Sequence, residues 1–228
     1  MGDTLLKILD WSEVWALLIP LTILFFKPRQ PDYVKPVVIY LWFAFALNLI
    51  IDVIMVFKRH FPSWTFLQSN NPYYNIHSII RFILFSYFFI NLPQPSFTTL
   101  KKGLALFSVI FIIINFGFFE NIFNPDHLSG NLLTVEAYLL LIYCMQYYLS
   151  ELKEDSETIW TGPAFWIVTG LSIYVVINFF VFLFYVPMLN TNPTLADNIW
   201  HVHNVAFVIF CLFLAKAFYG DFRNKYSI

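Results

Sequence analysis

The chain has 228 residues, of which 59% are hydrophobic and 12% charged, with a formal net charge of −1. A soluble domain carries about twice that share of charge, and the mean hydropathy of +0.68 excludes an ordinary soluble globular protein. There is no basic excess of the kind a nucleic-acid partner needs, and none is expected.

Crossing a hydrocarbon core about 30 Å thick takes roughly 20 apolar residues. Seven stretches come near that length: residues 5–26, 36–57, 73–92, 103–120, 130–150, 163–186 and 196–219. The solid apolar part of the first runs from Val14 to Phe26, after Asp10, Ser12 and Glu13, and stops at Lys27-Pro28-Arg29. Its approach is acidic and no small-residue cleavage site follows, so it reads as a span, not a cleaved leader. Leu6 stands where myristoylation after Met1-Gly2 needs Ser or Thr. Pro93 and Pro95 close the third stretch, and Thr161-Gly162-Pro163 opens the sixth with a proline suited to a first helical turn. Pro193 precedes the seventh. The runs are too long for barrel strands and lack period-2 alternation. The expectation is an all-α membrane protein, residues 1–228 forming a single seven-helix transmembrane domain, with loops too short for a soluble output module. Cys144 and Cys211 fall inside predicted helices and read as small packing residues.

Basic residues set the expected orientation. The loops after spans one, three and five, with the C-terminal end, carry nine: Lys27, Arg29, Lys35, Lys101, Lys102, Lys153, Lys216, Arg223 and Lys225. The opposite side carries three, Lys7, Lys58 and Arg59. Basic loops stay cytoplasmic, which places the N-terminus outside and the C-terminus inside. Trp42, Trp64, Trp160, Trp166 and Trp200 fall near span ends, as an interfacial belt requires.

Ionisable side chains inside the hydrocarbon are costly and mark candidate sites. At 1.5 Å per residue, Asp52 lies about 8 Å from the outer end of span two. His77 and Arg81 lie about one and two turns into span three. Glu136 lies two turns into span five, His201, His203 and Asn204 two turns into span seven, and Asn178 in the outer half of span six. Asn48 and Asp52 share a helix face, as do His77 and Arg81. Gly170, Tyr174 and Asn178 form one row. The candidate ligand-binding set is therefore Asp52, His77, Arg81, Glu136, Asn178, His201 and Asn204, at matching depth in the outer half, with few polar residues expected in the inner half. Arg81 needs a counter-charge, for which Asp52 and Glu136 are at the right depth. His203 points about 200° away from His201 and is expected to face a neighbouring helix or another subunit. Such a network can equally serve to fix helix register.

No catalytic motif is complete. His77, His201, Asp52 and Glu136 include metal-ligating types, but the seven-span hydrolases of the alkaline ceramidase and adiponectin-receptor type carry HxxxH on the last helix, and this chain has His201-Val202-His203, whose rings diverge. A haem between His77 and His201 has no other support, and Lys216 lies too near the inner end to carry a retinal. No catalytic residue, metal or cofactor is assigned.

Three stretches carry a resemblance: Tyr73-Tyr74-Asn75-Ile76-His77-Ser78-Ile79-Ile80, Pro163-Ala164-Phe165-Trp166-Ile167-Val168-Thr169-Gly170, and Asn198-Ile199-Trp200-His201-Val202-His203-Asn204. Together they resemble uncharacterised seven-span membrane proteins of Bacteroidetes-type bacteria, a module similar to the membrane sensor region of some histidine kinases. Relatives often show an acidic residue in span three, where this chain has His77 and Arg81. The resemblance implies a bacterial inner-membrane location and sensing, and it transfers no residue role. The expected function is a non-enzymatic, receptor-like or partner-binding module whose lipid-embedded polar pocket signals through a separate membrane or cytoplasmic protein. The alternatives are a transport or assembly subunit of a larger membrane complex and a metal-dependent lipid hydrolase.

Overall fold

The computed structural model describes residues 2–57, 69–94, 96–124, 128–154 and 162–220. Among them 88% are helical and none is in a strand, so every regular backbone hydrogen bond is made within a helix, the arrangement a bilayer demands. Five helices are long and apolar enough to cross a membrane: Asp32–Met55, Thr98–Phe119, Gly130–Lys153, Pro163–Leu189 and Pro193–Tyr219.

The first expected span is two helices. α1 (Gly2–Asp10) and α2 (Ser12–Phe26) meet at Trp11, whose backbone leaves helical geometry at φ −88° and ψ 6°. The Trp15 indole N–H donates to the Ile8 carbonyl at 2.8 Å and holds the two pieces together. Glu13 sits in the first turn of α2, the favourable end of the helix dipole for a carboxylate. At the other end Lys27 Nζ donates to the Tyr219 carbonyl at 2.5 Å, and Gln30 Nε2 donates to the Phe218 carbonyl at 3.3 Å. The α2–α3 loop thus satisfies the last carbonyls of α8, groups a helix cannot satisfy itself.

A 3-10 turn, Asp32–Val34, leads into α3 (Lys35–Phe57). α4 (Asn71–Asn91) starts with Pro72 in its first turn. It is long enough to span, but Asn75, His77, Ser78, Arg81 and Ser86, all buried, make it too polar to count as an apolar span by composition. α5 (Thr98–Ile114) continues into a π-turn, Asn115–Phe119. α6 (Gly130–Glu154) is capped by Ser129, whose Oγ accepts from the Leu132 N–H at 3.1 Å. α7 (Pro163–Thr191) and α8 (Pro193–Tyr219) are separated by Asn192 alone, whose Oδ1 caps α8 by accepting from the Leu195 N–H at 3.1 Å. Glycine is needed at residue 170: a Cβ there would stand 2.4 Å from the Phe213 Cβ, so α7 and α8 approach closely only because that position is bare.

Tyr40, Phe85, Phe88, Phe89, Tyr143 and Phe210 are buried to 0% exposure and form an aromatic block through the middle of the bundle. Tyr143 stacks on Phe89 at 5.0 Å, and Phe85 meets Phe210 at 6.0 Å. α5 lies at the edge: 11% of its apolar window is buried, against 56% for α6 and α8, leaving Leu106, Phe107, Ile110 and Ile113 exposed on a face suited to lipid.

Candidate functional site: a buried polar network

The polar residues collect towards the end of the bundle where Ser12 begins α2, and two ion pairs organise them. Arg81 of α4 donates from Nε to Glu136 Oε1 at 2.5 Å and from Nη2 to Oε2 at 2.7 Å. This is a bidentate fork, the geometry in which a guanidinium and a carboxylate match best. Its Nη1 donates to the Tyr174 hydroxyl at 2.6 Å, and the Ser78 hydroxyl donates to Glu136 Oε2. Three helices, α4, α6 and α7, are thereby tied at one depth. Arg81 and Glu136 side chains are 6% and 1% exposed, so each charge depends on the other.

The second pair joins α2 to α8. Glu13 Oε2 accepts from the Tyr74 hydroxyl at 2.6 Å, and Glu13 Oε1 lies 3.1 Å from His203 Nε2. On the other side of the ring, His203 Nδ1 lies 2.5 Å from Asn178 Oδ1. Asn178 gives its Nδ2 to the Tyr174 carbonyl at 2.8 Å, which leaves Oδ1 as the acceptor and puts a proton on Nδ1 of His203. Trp200 and Phe182 flank the imidazole, with ring centroids at 4.8 and 5.5 Å.

Between the pairs lies a cavity of about 20 Å³, lined among others by Glu13, Asn48, His77, Arg81, Tyr174 and His203. That is room for one water. Two lining residues hold polar atoms with no hydrogen-bond partner. His77, stacked parallel on Tyr40 at 5.8 Å, leaves Nε2 unpaired. Asn48 donates from Nδ2 to the Glu13 carbonyl at 3.1 Å and leaves Oδ1 unpaired. Buried polar atoms of native proteins nearly always find a partner in protein or water, so these two call for one, which a water or one small polar group in the cavity can supply.

The chain matches no protein-family model, no curated protein and no solved structure. The arrangement is therefore read from its own chemistry. Of the residues singled out from the sequence, His77 and Arg81 line the cavity, Glu136 holds Arg81, and Asn178 holds His203. Asp52 is half-buried on α3 and does not line the cavity. Asn204 is buried but turned elsewhere, and its Oδ1 is unpaired. His201 lies outside the network, with its Nδ1 3.6 Å from Asp10 of α1. His203 faces neighbouring helices, as expected, through Glu13 of α2 and Asn178 of α7; the correction is that His203, 4% exposed, joins the network in place of His201, because it shares the core-facing side of α8 with Phe207 and Phe210. Glu13, Tyr74 and Ser78 are further members. Glu13 looked like an interruption before the first span, and the helix restart at Ser12 carries it inside. The mixed metal set does not form: among the described residues no three His, Cys, Asp or Glu side chains converge as metal ligands.

The opposite end is less apolar than the sequence suggested. Lys101, 1% exposed, donates to Gln94 Oε1 at 3.5 Å, and Gln94 Nε2 donates to Glu151. The Tyr143 hydroxyl donates to the Lys101 carbonyl at 2.6 Å.

Proposed function

We propose that this chain is a seven-span, receptor-like module of a bacterial inner membrane, N-terminus outside and C-terminus inside. The polar network lies in the outer half, receives a signal there and passes it, by helix shifts, to a separate protein on the cytoplasmic side. α1 with α2 forms the first span and α4 the third, in addition to the five apolar helices. The observation that carries the reading is that two residues lining the cavity, His77 and Asn48, each hold a buried atom with no partner, Nε2 and Oδ1, beside the Arg81–Glu136 and Glu13–His203 pairs. A network serving packing alone is expected to be fully satisfied, because each unmade hydrogen bond in a low-dielectric interior is costly.

Hydrogen exchange in lipid nanodiscs tests this. Exchanging the central pair for apolar residues (Arg81→Met with Glu136→Met) removes the charges while keeping bulk. The receptor reading predicts altered amide protection at the far end, in the Lys27–Lys35 connection and around Gln94, as well as at the network. A change confined to the residues touching the substitutions would refute it. Reporter fusions after Ile228 and Asn124 test the orientation, and an outward-reporting C-terminus would overturn it.

A further inference from the structure

A second void shares one lining residue with the first. A groove of about 280 Å³ lies between the first turns of α6 and the last turns of α7, with Gly130, Val135, Phe182, Leu183, Val186 and Pro187 as its apolar wall and Glu120, Asn131 and Thr134 as its polar lining. Phe182 also lines the buried cavity. It is 3% exposed, and its ring stands 5.5 Å from that of His203. One aromatic side chain therefore borders both the groove and the polar network. Gly130 lets α6 approach α7, since a Cβ there would meet Val186 Cγ2 at 3.0 Å. Pro187 has no N–H to give the Leu183 carbonyl, which loosens α7 at the groove.

We propose that this groove is a lateral entrance from the bilayer to the polar cavity, that Phe182 is its door, and that the ligand is an uncharged amphiphile with a single small hydroxyl head. The proposal rests on the network being a receptor site, as above, and names its ligand. Three observations select the chemistry. Arg81 is matched by Glu136, and Glu13 is held by the Tyr74 hydroxyl and the His203 ring; a charged head would arrive with no free counter-charge in the cavity. The cavity has about 20 Å³, which admits a head of one oxygen and rejects a phosphate or a sugar. Asn48 Oδ1 needs a donor, and His77 Nε2 can take either role; a hydroxyl both donates and accepts. The groove, close in volume to the smallest ligand pockets, takes the apolar chain against Val135, Leu183 and Val186.

A photoreactive long-chain alcohol, with the diazirine midway along its chain, tests the assignment on the full chain in nanodiscs. Labelling is expected on α6 and α7 beside the groove, competed by dodecan-1-ol and not by dodecane or dodecylammonium. Asn48→Leu should weaken competition by about tenfold, the worth of one buried hydrogen bond. Phe182→Ala should speed labelling. Val186→Trp, which fills the groove from a partly exposed position, should abolish labelling in a protein that folds. Labelling spread evenly over the lipid-facing helices, competition by dodecylammonium equal to that by the alcohol, or an Asn48→Leu variant that competes as wild type would overturn it. Lost labelling with an intact far-end hydrogen-exchange response sinks the entrance alone. Intact labelling with no far-end response sinks the receptor reading alone.

Discussion

The two ends of the bundle both bury charge, and they do it differently. At the end where α2 begins, two ion pairs draw on five helices, α2, α4, α6, α7 and α8, and surround a cavity with unpaired atoms. At the end where α8 finishes, Gln94, Lys101 and Glu151 make a chain of contacts from the α4–α5 connection, α5 and α6. Phe85, Phe88, Phe89 and Phe210 fill the space between. Phenyl rings carry no hydrogen-bonding group, so the coupling proposed above would run through the helices that cross the block.

The largest effect is expected at Arg81. Arg81→Leu leaves Glu136 buried without its partner and should cost about 3–5 kcal/mol of stability, read as a large loss in thermal midpoint or folded yield. The Arg81→Met, Glu136→Met pair should recover most of that, and a double variant no better than the single would show that the fork is not the dominant interaction.

Next in size, Asn178→Ala removes the acceptor that fixes the His203 ring. Leaving a buried donor without its partner costs about 1–3 kcal/mol, and the same variant should release His203 Nδ1, visible in its ¹⁵N shift. The corresponding change at the far end, Gln94→Ala, should cost less, because Glu151 and Lys101 both stand in that cluster. If Gln94→Ala is the more damaging of the two, the ranking of the two ends is wrong.

Gly170→Ala probes the frame that holds both ends. With a Cβ 2.4 Å from Phe213, α7 and α8 must part, at about 1–3 kcal/mol for overpacking. Smallest of all, Asp32→Asn breaks an exposed pair with Lys35 at 2.7 Å, and the thermal midpoint should not move measurably, as for most surface ion pairs.

The helical class and the depth of the polar set were legible because hydropathy and rise per residue are local properties. Depth alone brought Arg81 and Glu136 to one level, and the four-residue step joined Asn178 to Tyr174. Facing was not legible. His201 and His203 are separated on a helical wheel, but only packing decides which one looks inward, and α8 turns His203 in with Phe207. Glu13 was hidden by the break at Trp11, which starts a new helix two residues earlier than the apolar run. Lys101 read as an anchoring charge at the membrane surface, yet it is buried beneath Gln94 and Tyr143, since its neighbours come from segments about 50 residues later in the chain as well as from its own connection.

The central claim is that changes at the cavity move the opposite end through the helices. Paired spin labels at Gln30, on the α2–α3 connection, and Lys102, near the start of α5, test it most directly by their distance distribution in nanodiscs. The account predicts that His77→Leu, which fills the unpaired position with an apolar side chain, shifts that distribution while the protein stays folded. An unchanged distribution in a folded His77→Leu protein would contradict it and leave the network as a tie between helices.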